Sequence, residues 1–225
     1  MRGKKNKTKC FMKCVVFFMI FMFLVLVCLV IQKNQGVLLS SLFQQHDMDK
    51  LGKNKQFGEL TIQEEYLTKN EYSRPGTKIE RITGIVVHYT GNPGTSAEAN
   101  RNYFQKLAYD HSSYASAHFV VGLEGEIIQC VPLEEQAFAT RTRNNDTIGI
   151  EVCHPDAAGK YNEKSYRTLI KLAVQLCIKY GLTEQDVIRH YDVTGKICPR
   201  YYVEHENAWE KLRKDIGIEI KSLKK

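Results

Sequence analysis

One late segment, residues 189–200, limits what this chain can fold into more than any other stretch, because it concentrates three reactive side chains. His190 and Cys198 carry an imidazole and a thiol, two ligands that suit Zn²⁺. Their spacing is wider than the roughly two to five residues between paired zinc-finger ligands. A catalytic zinc site needs three protein ligands and an open position, so the fold must supply a third ligand from elsewhere. The best candidate is His88, which ends the apolar run Ile85–Val87.

The pattern of apolar residues predicts an α/β domain, a sheet covered by helices. Short β-branched runs predict strands over 82–88, 116–122, 126–131, 147–153 and 187–189. Helices are predicted from the capping box 95–98, from Asn162 to a stop at Gly181, and over 206–216. His88 and His190 each follow a predicted strand, at the sheet edge where α/β proteins place their ligands.

An apolar run over residues 14–31 carries no charge and is about long enough to cross a hydrocarbon core of ~30 Å. Basic residues precede it, which predicts a cytoplasmic N-terminus. A cleaved signal peptide is the alternative, but no small-residue cleavage site follows. The sequence therefore predicts a single-pass membrane protein with its domain outside: basic tail 1–13, transmembrane signal anchor 14–31, stalk 32–79, domain 80–217 and basic C-terminal tail 218–225.

The positive charge of the chain belongs to its N-terminal end. The net charge is +7, and residues 1–33 hold seven of the 32 Lys and Arg residues and no acid. The rest of the chain has 25 basic and 25 acidic residues. Nucleic-acid-binding domains usually present a basic surface, so we expect no nucleic-acid partner.

Four of the seven cysteines lie in the predicted outer part: Cys130, Cys153, Cys177 and Cys198. An exported domain can pair its cysteines. If Cys198 binds a metal, at most one disulfide can form among the other three. The alternative is that each is a small buried hydrophobe, and the sequence does not select a pair.

Two further residues suggest hydrolytic chemistry at such a zinc site. Glu151 lies in the apolar run 148–152, where a carboxylate is costly unless it is paired or functional. Burial raises a carboxyl pKa toward the range of a general base. Lys196 lies two residues before Cys198, and in an extended segment the two side chains point the same way. An ammonium there can stabilise an oxyanion. His118 is a rival third ligand or a substrate contact.

Five pieces of the chain, in order, resemble the zinc-dependent N-acetylmuramoyl-L-alanine amidases of the type-2 amidase and peptidoglycan-recognition-protein superfamily. The resemblance covers about residues 79–216. The matching pieces are Ile85–Thr90, Ser116–Val121, Gly125–Gln129, Asn145–Glu151 and His190–Asp192 with Lys196–Pro199.

The resemblance implies Zn²⁺ held by His88, His190 and Cys198, and hydrolysis of the amide between N-acetylmuramic acid and L-alanine in peptidoglycan. It also implies a mixed sheet flanked by helices, with a groove for the glycan-peptide. One branch of the family uses a Tyr where Ala117 stands here. That difference favours Glu151 as the general base, with Lys196 as the oxyanion stabiliser.

Two other functions remain open at this stage. The first is a non-catalytic peptidoglycan-binding module tethered to the membrane, and the second is a cysteine hydrolase that uses Cys198, His190 and Glu151. We expect a monomer on the cell-wall side of the membrane. Polar groove candidates are Tyr89, Asn92, His118, Asn145 and Arg200, together with Arg143.

Overall fold

Seven strands form one sheet in the part of the chain that the structure describes, residues 53–223 of a computed structural model. The strands are β1 (Lys53–Phe57), β2 (Leu60–Glu64), β3 (Gly84–Tyr89), β4 (Phe119–Val121), β5 (Ile127–Gln129), β6 (Thr147–Val152) and β7 (Val187–Arg189). Their spatial order is β1-β2-β5-β4-β6-β3-β7. Parallel pairs join β3 to β6 and β7, β4 to β6 and β2 to β5, whereas β1–β2 and β4–β5 are antiparallel. The expected mixed sheet is confirmed.

Within residues 53–223, five α-helices connect or cover the strands. They are α1 (Ala97–Asp110), α2 (Glu163–Tyr180), α3 (His190–Thr194), α4 (Arg200–Glu204) and α5 (Glu206–Leu223). The cap at Asn162 and the stop at Gly181 are confirmed, whereas the predicted capping box 95–98 is replaced by a single cap at Ser96. The Ser96 side chain accepts from the Ala99 amide, and Asn162 accepts from the Ser165 amide. Gly181 ends α2 at φ +68°, a left-handed conformation that glycine adopts at little cost.

The face of the sheet beneath α2 and α5 carries the larger hydrophobic core, and we call it the apolar face. Side chains alternate along a strand, so every second residue contributes to it. From β4 these are Phe119 and Val121, and from β6 they are Ile148, Ile150 and Val152. They pack with α2 and α5 residues such as Leu169, Leu172, Trp209 and Leu212.

The opposite face, which we call the site face, carries a smaller core. It includes Phe104 of α1 and, from the strands, Val120 and Ile128. On β3 and β6 the residues that alternate with the apolar-face positions are Val86, His88, Gly149 and Glu151. The polar candidates of the two central strands therefore project on the side opposite the larger core.

The sheet begins earlier in the chain than the predicted domain boundary at residue 80. β1 and β2 lie inside the stretch predicted as a stalk, and Ile62 is buried in the larger core. The polar run 53–56 concealed the strand because β1 is an exposed edge strand, which polar side chains suit. At the other end α5 continues past Ile216 to Leu223 and buries Ile220, so the predicted C-terminal tail is helical over 218–223.

The predicted basic tail, membrane anchor and first part of the stalk lie outside the described residues. Within residues 53–223 no helix combines the length and apolar character needed to cross a membrane.

No disulfide joins the cysteines of the described part. Cys130 and Cys153 are buried in the smaller core, in agreement with the interpretation of these thiols as small hydrophobes. Cys177 is buried in α2 and its Sγ lies 3.6 Å from the Thr183 carbonyl oxygen.

Candidate metal centre and active site

The parallel pairing of β3 with β6 places His88 directly beside Glu151. The two residues are register partners, one position before the end of each strand. His88 Nδ1 lies 3.9 Å from Glu151 Oε1. Gly149, on the same face, leaves room for Ala139, since a Cβ there would lie 2.8 Å from the Ala139 Cβ. The Tyr161 hydroxyl donates to the His88 carbonyl and fixes the end of β3.

His190 and Cys198 reach the same place from the segment that follows β7. His190 is the first residue of α3, and Cys198 follows the turn that leaves this helix. The Tyr191 amide donates to the Cys198 carbonyl over 2.9 Å, which closes the segment into a loop. β7 pairs with β3, so this loop lies at the edge of the sheet that also carries His88.

Arg189 anchors this segment to the helices behind it. Its guanidinium donates to both carboxylate oxygens of Asp192, to Glu206 and to the Tyr202 carbonyl. It also lies 5.4 Å from the centre of the Trp209 ring. Because Arg189 immediately precedes His190, these contacts limit the freedom of a candidate metal ligand.

The three expected metal ligands come together as predicted. One side-chain atom each of His88, His190 and Cys198 lies within 4.8 Å of the others, and all three residues are buried. Cys198 Sγ is 3.8 Å from His88 Nδ1, close to the ~3.6 Å that separates sulfur and nitrogen ligands on a tetrahedral zinc. His190 Nδ1 is buried without a hydrogen-bond partner.

The protonation states of these residues also suit a metal. Burial lowers the pKa of His88 well below its ordinary value and that of His190 to about 4, so both imidazoles are neutral and able to coordinate. Burial raises the pKa of the Cys198 thiol to about 12. Ionisation of this thiol therefore depends on a nearby positive charge, which a bound dication supplies. The donor set fits Zn²⁺ with one position left open.

Glu151 is a mostly buried carboxylate beside the candidate metal ligands. Its side chain is 19% exposed, and Oε2 is buried without a hydrogen-bond partner. Burial raises its pKa to about 8, while the charge of Lys196 acts in the opposite direction. The carboxyl therefore lies in a pKa range useful for accepting and returning a proton near neutral pH.

Lys196 lines the same cavity but not in the extended segment expected from the sequence. The Cys198 amide donates to the Lys196 carbonyl over 2.7 Å, which is a tight turn. The positive charge of Lys196 nevertheless lowers the pKa values of His88, His190, Glu151 and Cys198. This lysine therefore acts electrostatically on the whole group.

A cavity of about 1230 Å³ opens over the ligands. It is too large for the scissile bond alone and has room for a substrate with several units. Besides the ligands, Glu151 and Lys196, its lining includes Tyr89, Tyr103, Tyr114, Phe138, Arg141 and Asn144.

Of the expected substrate contacts, only Tyr89 lines this cavity among the residues that the structure describes. Asn92 is exposed and donates to Asn100, which orders the loop before α1. Asn145 is exposed outside the lining, and its neighbour Asn144 lines the cavity instead. Arg200 is exposed and contacts the Ala157 carbonyl at 3.4 Å.

His118 is held by backbone groups, and it neither joins the candidate ligand cluster nor lines the cavity. Its Nδ1 accepts from the Gly149 amide at 3.0 Å, and Nε2 lies 2.9 Å from the Glu135 carbonyl oxygen. Both nitrogens are thus used by the backbone, and the residue is buried. Arg143, the other polar candidate, pairs with Asp146.

Sequence reasoning missed Arg141 and Tyr114. Arg141 is exposed at the cavity in a left-handed conformation, φ +58°, which is uncommon for a residue other than glycine. No local pattern marks Arg141, because its loop carries no strand or helix period. For Tyr114 the available signal was an aromatic residue in the polar stretch 110–116.

Comparison with known proteins agrees with this geometry. The family model for N-acetylmuramoyl-L-alanine amidase (Amidase_2) matches residues 78–201. A probable N-acetylmuramoyl-L-alanine amidase of Bacillus licheniformis is 34% identical over 163 residues, which are 67% of this chain and 46% of the relative. The amidase BlyA of Bacillus subtilis (strain 168) is 32% identical over 64% of this chain and 43% of its own length. The chain thus spans about half the length of the curated relatives it matches.

Solved structures show the same fold. The catalytic domain of XlyA matches with a TM-score of 0.59 and 26% identity, over 70% of this chain and all of that domain. The Staphylococcus aureus hydrolase AmiA, solved in complex with its ligand, matches with a TM-score of 0.55 and 22% identity, over 75% of this chain and 84% of that one. The family model spans more than half of the sequence, so the chain belongs to the N-acetylmuramoyl-L-alanine amidase family.

Proposed function

We propose that this protein is a zinc-dependent hydrolase of the amide bond between N-acetylmuramic acid and L-alanine in peptidoglycan. The observation that carries the proposal is the convergence of His88, His190 and Cys198 within 4.8 Å of one another beside Glu151. Family membership supplies the substrate, since the relatives carry this activity in their names.

His88, His190 and Cys198 would hold a zinc ion, which would supply a Lewis acid to polarise the amide carbonyl and to make water a stronger nucleophile. The protein supplies the proton transfers. Glu151 takes a proton from the attacking water through its carboxylate and returns it to the nitrogen of the leaving L-alanine. Its raised pKa makes the carboxylate a stronger base, and a bound dication would favour the ionised form that the first transfer needs.

Lys196 is proposed to stabilise the oxyanion that develops on the carbonyl oxygen. Its side chain lines the cavity, and its charge already acts on the ligands and on Glu151. An ammonium beside the reacting carbonyl stabilises the negative charge that develops there.

A thiol nucleophile at Cys198 is less well supported. Cys198 is buried and its pKa is raised to about 12, whereas catalytic cysteines lie in settings that favour the thiolate. The same thiol is well placed as a metal ligand.

We further propose that the catalytic domain lies on the outer, cell-wall side of a membrane to which residues 14–31 anchor it. The support is the sequence alone: an uncharged apolar run that follows a basic segment without acids.

The test is to incubate the purified full-length chain in detergent with a defined muropeptide and to identify the products by mass. Release of the intact peptide with a free L-alanine amine is expected. A chelator should abolish release, and added Zn²⁺ should restore it. A zinc-loaded protein that sediments with cell walls but releases nothing would instead identify a non-catalytic binding module. Full activity in a chelator would refute the metal mechanism.

A further inference from the structure

Tyr114 is an aromatic residue of the cavity lining whose side chain is largely exposed to solvent. It lines the cavity over the metal ligands, yet 62% of it is exposed. A large aromatic side chain that remains open to solvent beside a site of chemistry is a candidate for ligand contact.

The ring of Tyr114 packs against other aromatic rings. Tyr72 stacks on it with centroids 5.0 Å apart, and His111 stacks on Tyr72 with centroids 4.3 Å apart. Phe138 packs against Tyr114 in an edge-to-face arrangement with centroids 5.7 Å apart. With these rings in contact, 62% of Tyr114 is still exposed to solvent.

The backbone around Tyr114 is fixed as well. The next residue, Ala115, donates its amide to the Tyr72 carbonyl over 3.2 Å. The Ser116 amide donates to the Phe138 carbonyl, and the Phe138 amide donates to the Ser116 hydroxyl oxygen. The ring is therefore presented by an ordered segment, so a ligand that contacts it loses little extra entropy in ordering the protein.

We propose that Tyr114 is the platform on which a hexosamine ring of the glycan chain stacks when substrate enters the cavity. This inference rests on the proposed function, which requires a sugar on one side of the scissile amide. A pyranose ring has a flat face of C–H groups and a polar rim. A tyrosine offers a matching apolar face and a hydroxyl.

Arg141 indicates where the peptide belongs. It lines the cavity, and its charge acts on His190. This charge suits carboxylates, which a peptide carries and a neutral N-acetylated sugar does not. The stacked ring of Tyr114 is uncharged and suits the glycan part of the substrate.

The test compares Tyr114→Ala with Tyr109→Ala. Tyr109 is 73% exposed in α1, outside the cavity lining, and serves as the matched control. Binding of peptide-free glycan strands is measured by calorimetry, and KM and kcat are measured on uncrosslinked peptidoglycan chains. We expect Tyr114→Ala to weaken glycan binding and raise KM roughly three- to tenfold, with little change in kcat. Tyr114→Phe, which keeps the ring, should recover most of the affinity.

The calorimetric arm needs no turnover, so it separates this inference from the proposed reaction. Glycan binding that depends on Tyr114, in a protein that releases no peptide, would refute the hydrolase and support the platform. The platform is overturned if wild-type protein binds no peptide-free glycan or if Tyr109→Ala has an equal effect. It is also overturned if Tyr114→Ala weakens binding of the sugar-free stem peptide, or if it lowers kcat with KM unchanged.

Discussion

The two faces of the central sheet are built from the same strands, but one packs the larger core and the other carries the candidate site. On β6, Ile148, Ile150 and Val152 enter the larger core beneath α2 and α5, while Gly149 and Glu151 project to the site face. The apolar face gains stability by burying hydrocarbon. The site face instead buries ionisable groups, at a cost in stability. One strand can serve both purposes because its side chains alternate.

The buried polar groups of the site face fall into two kinds. His118 satisfies both ring nitrogens with backbone partners. Glu151 Oε2 and His190 Nδ1 are buried without a partner. Unsatisfied buried groups destabilise a fold, so their presence beside Cys198 marks the part of the face that is shaped for chemistry rather than for packing.

The largest effect is expected from a substitution on the site face, which should remove turnover and leave the fold intact. Glu151→Gln should lower kcat by about 10²–10⁴-fold, because the amide cannot accept the proton from water. Zinc content, measured by atomic emission, should match wild type, since the ligands remain. The control is Glu124→Gln, at an exposed carboxylate paired with Lys164. Near-normal peptide release by Glu151→Gln would refute its role as the base.

A substitution on the apolar face should instead lower stability and leave the turnover of the folded protein intact. Leu172 is fully buried in α2, and Leu172→Ala should lower the free energy of unfolding by about 2–5 kcal/mol through lost burial and a cavity. Below the unfolding transition, kcat should stay near wild type. The matched control is Ile178→Ala on the same helix, where the side chain is exposed and the loss should be under about 1 kcal/mol. A large fall in kcat for folded Leu172→Ala would contradict the division between the faces.

The third prediction concerns pH and the satisfied histidine of the site face. Burial lowers the pKa of His118 from 6.5 to about 4, so between these values the unfolded chain binds the proton that the folded chain excludes. Above about pH 6.5 the neutral His118 side chain therefore makes its full contribution to the free energy of unfolding. As the pH falls to about 4, the free energy of unfolding decreases by about 3 kcal/mol.

Urea unfolding across this pH range measures the effect. His118→Asn keeps an acceptor for the Gly149 amide but has no titrating group. It should be less stable than wild type near neutral pH and show a flatter dependence on pH. Parallel pH profiles for the two proteins would refute the assignment.

The smallest expected effect lies where the two faces are joined. Arg189 pairs with Asp192 within the segment of His190 and links this segment to α5 of the apolar face through Glu206 and Trp209. Arg189→Lys keeps the charge but loses the bidentate geometry, and should weaken zinc binding by about tenfold. Competition with a chromophoric chelator measures this affinity. Lys211→Arg, at an exposed position of α5, is a control that should leave the affinity for zinc unchanged. Wild-type affinity in Arg189→Lys would show that the packing of α3 alone holds His190.

Much of the fold was predictable because its signals are local. The apolar run before His88 forms β3, and the caps Ser96 and Asn162 begin helices where expected. β1 was not predictable, because its polar residues carry no period and acquire their strand conformation by pairing with β2. The extension of α5 beyond Ile216 depends on Ile220 reaching the larger core, a contact between distant residues.

The sequence by itself determined which atoms could react. An imidazole, a thiol and a carboxylate next to apolar runs are candidates for metal-assisted hydrolysis, because ligand chemistry belongs to the side chain. The tertiary structure decided which of these groups meet. The register of β3 against β6 placed Glu151 beside His88, and the same sheet turned His118 to the backbone. Register depends on the packing of whole strands between two layers of side chains, and no short stretch of sequence contains that information.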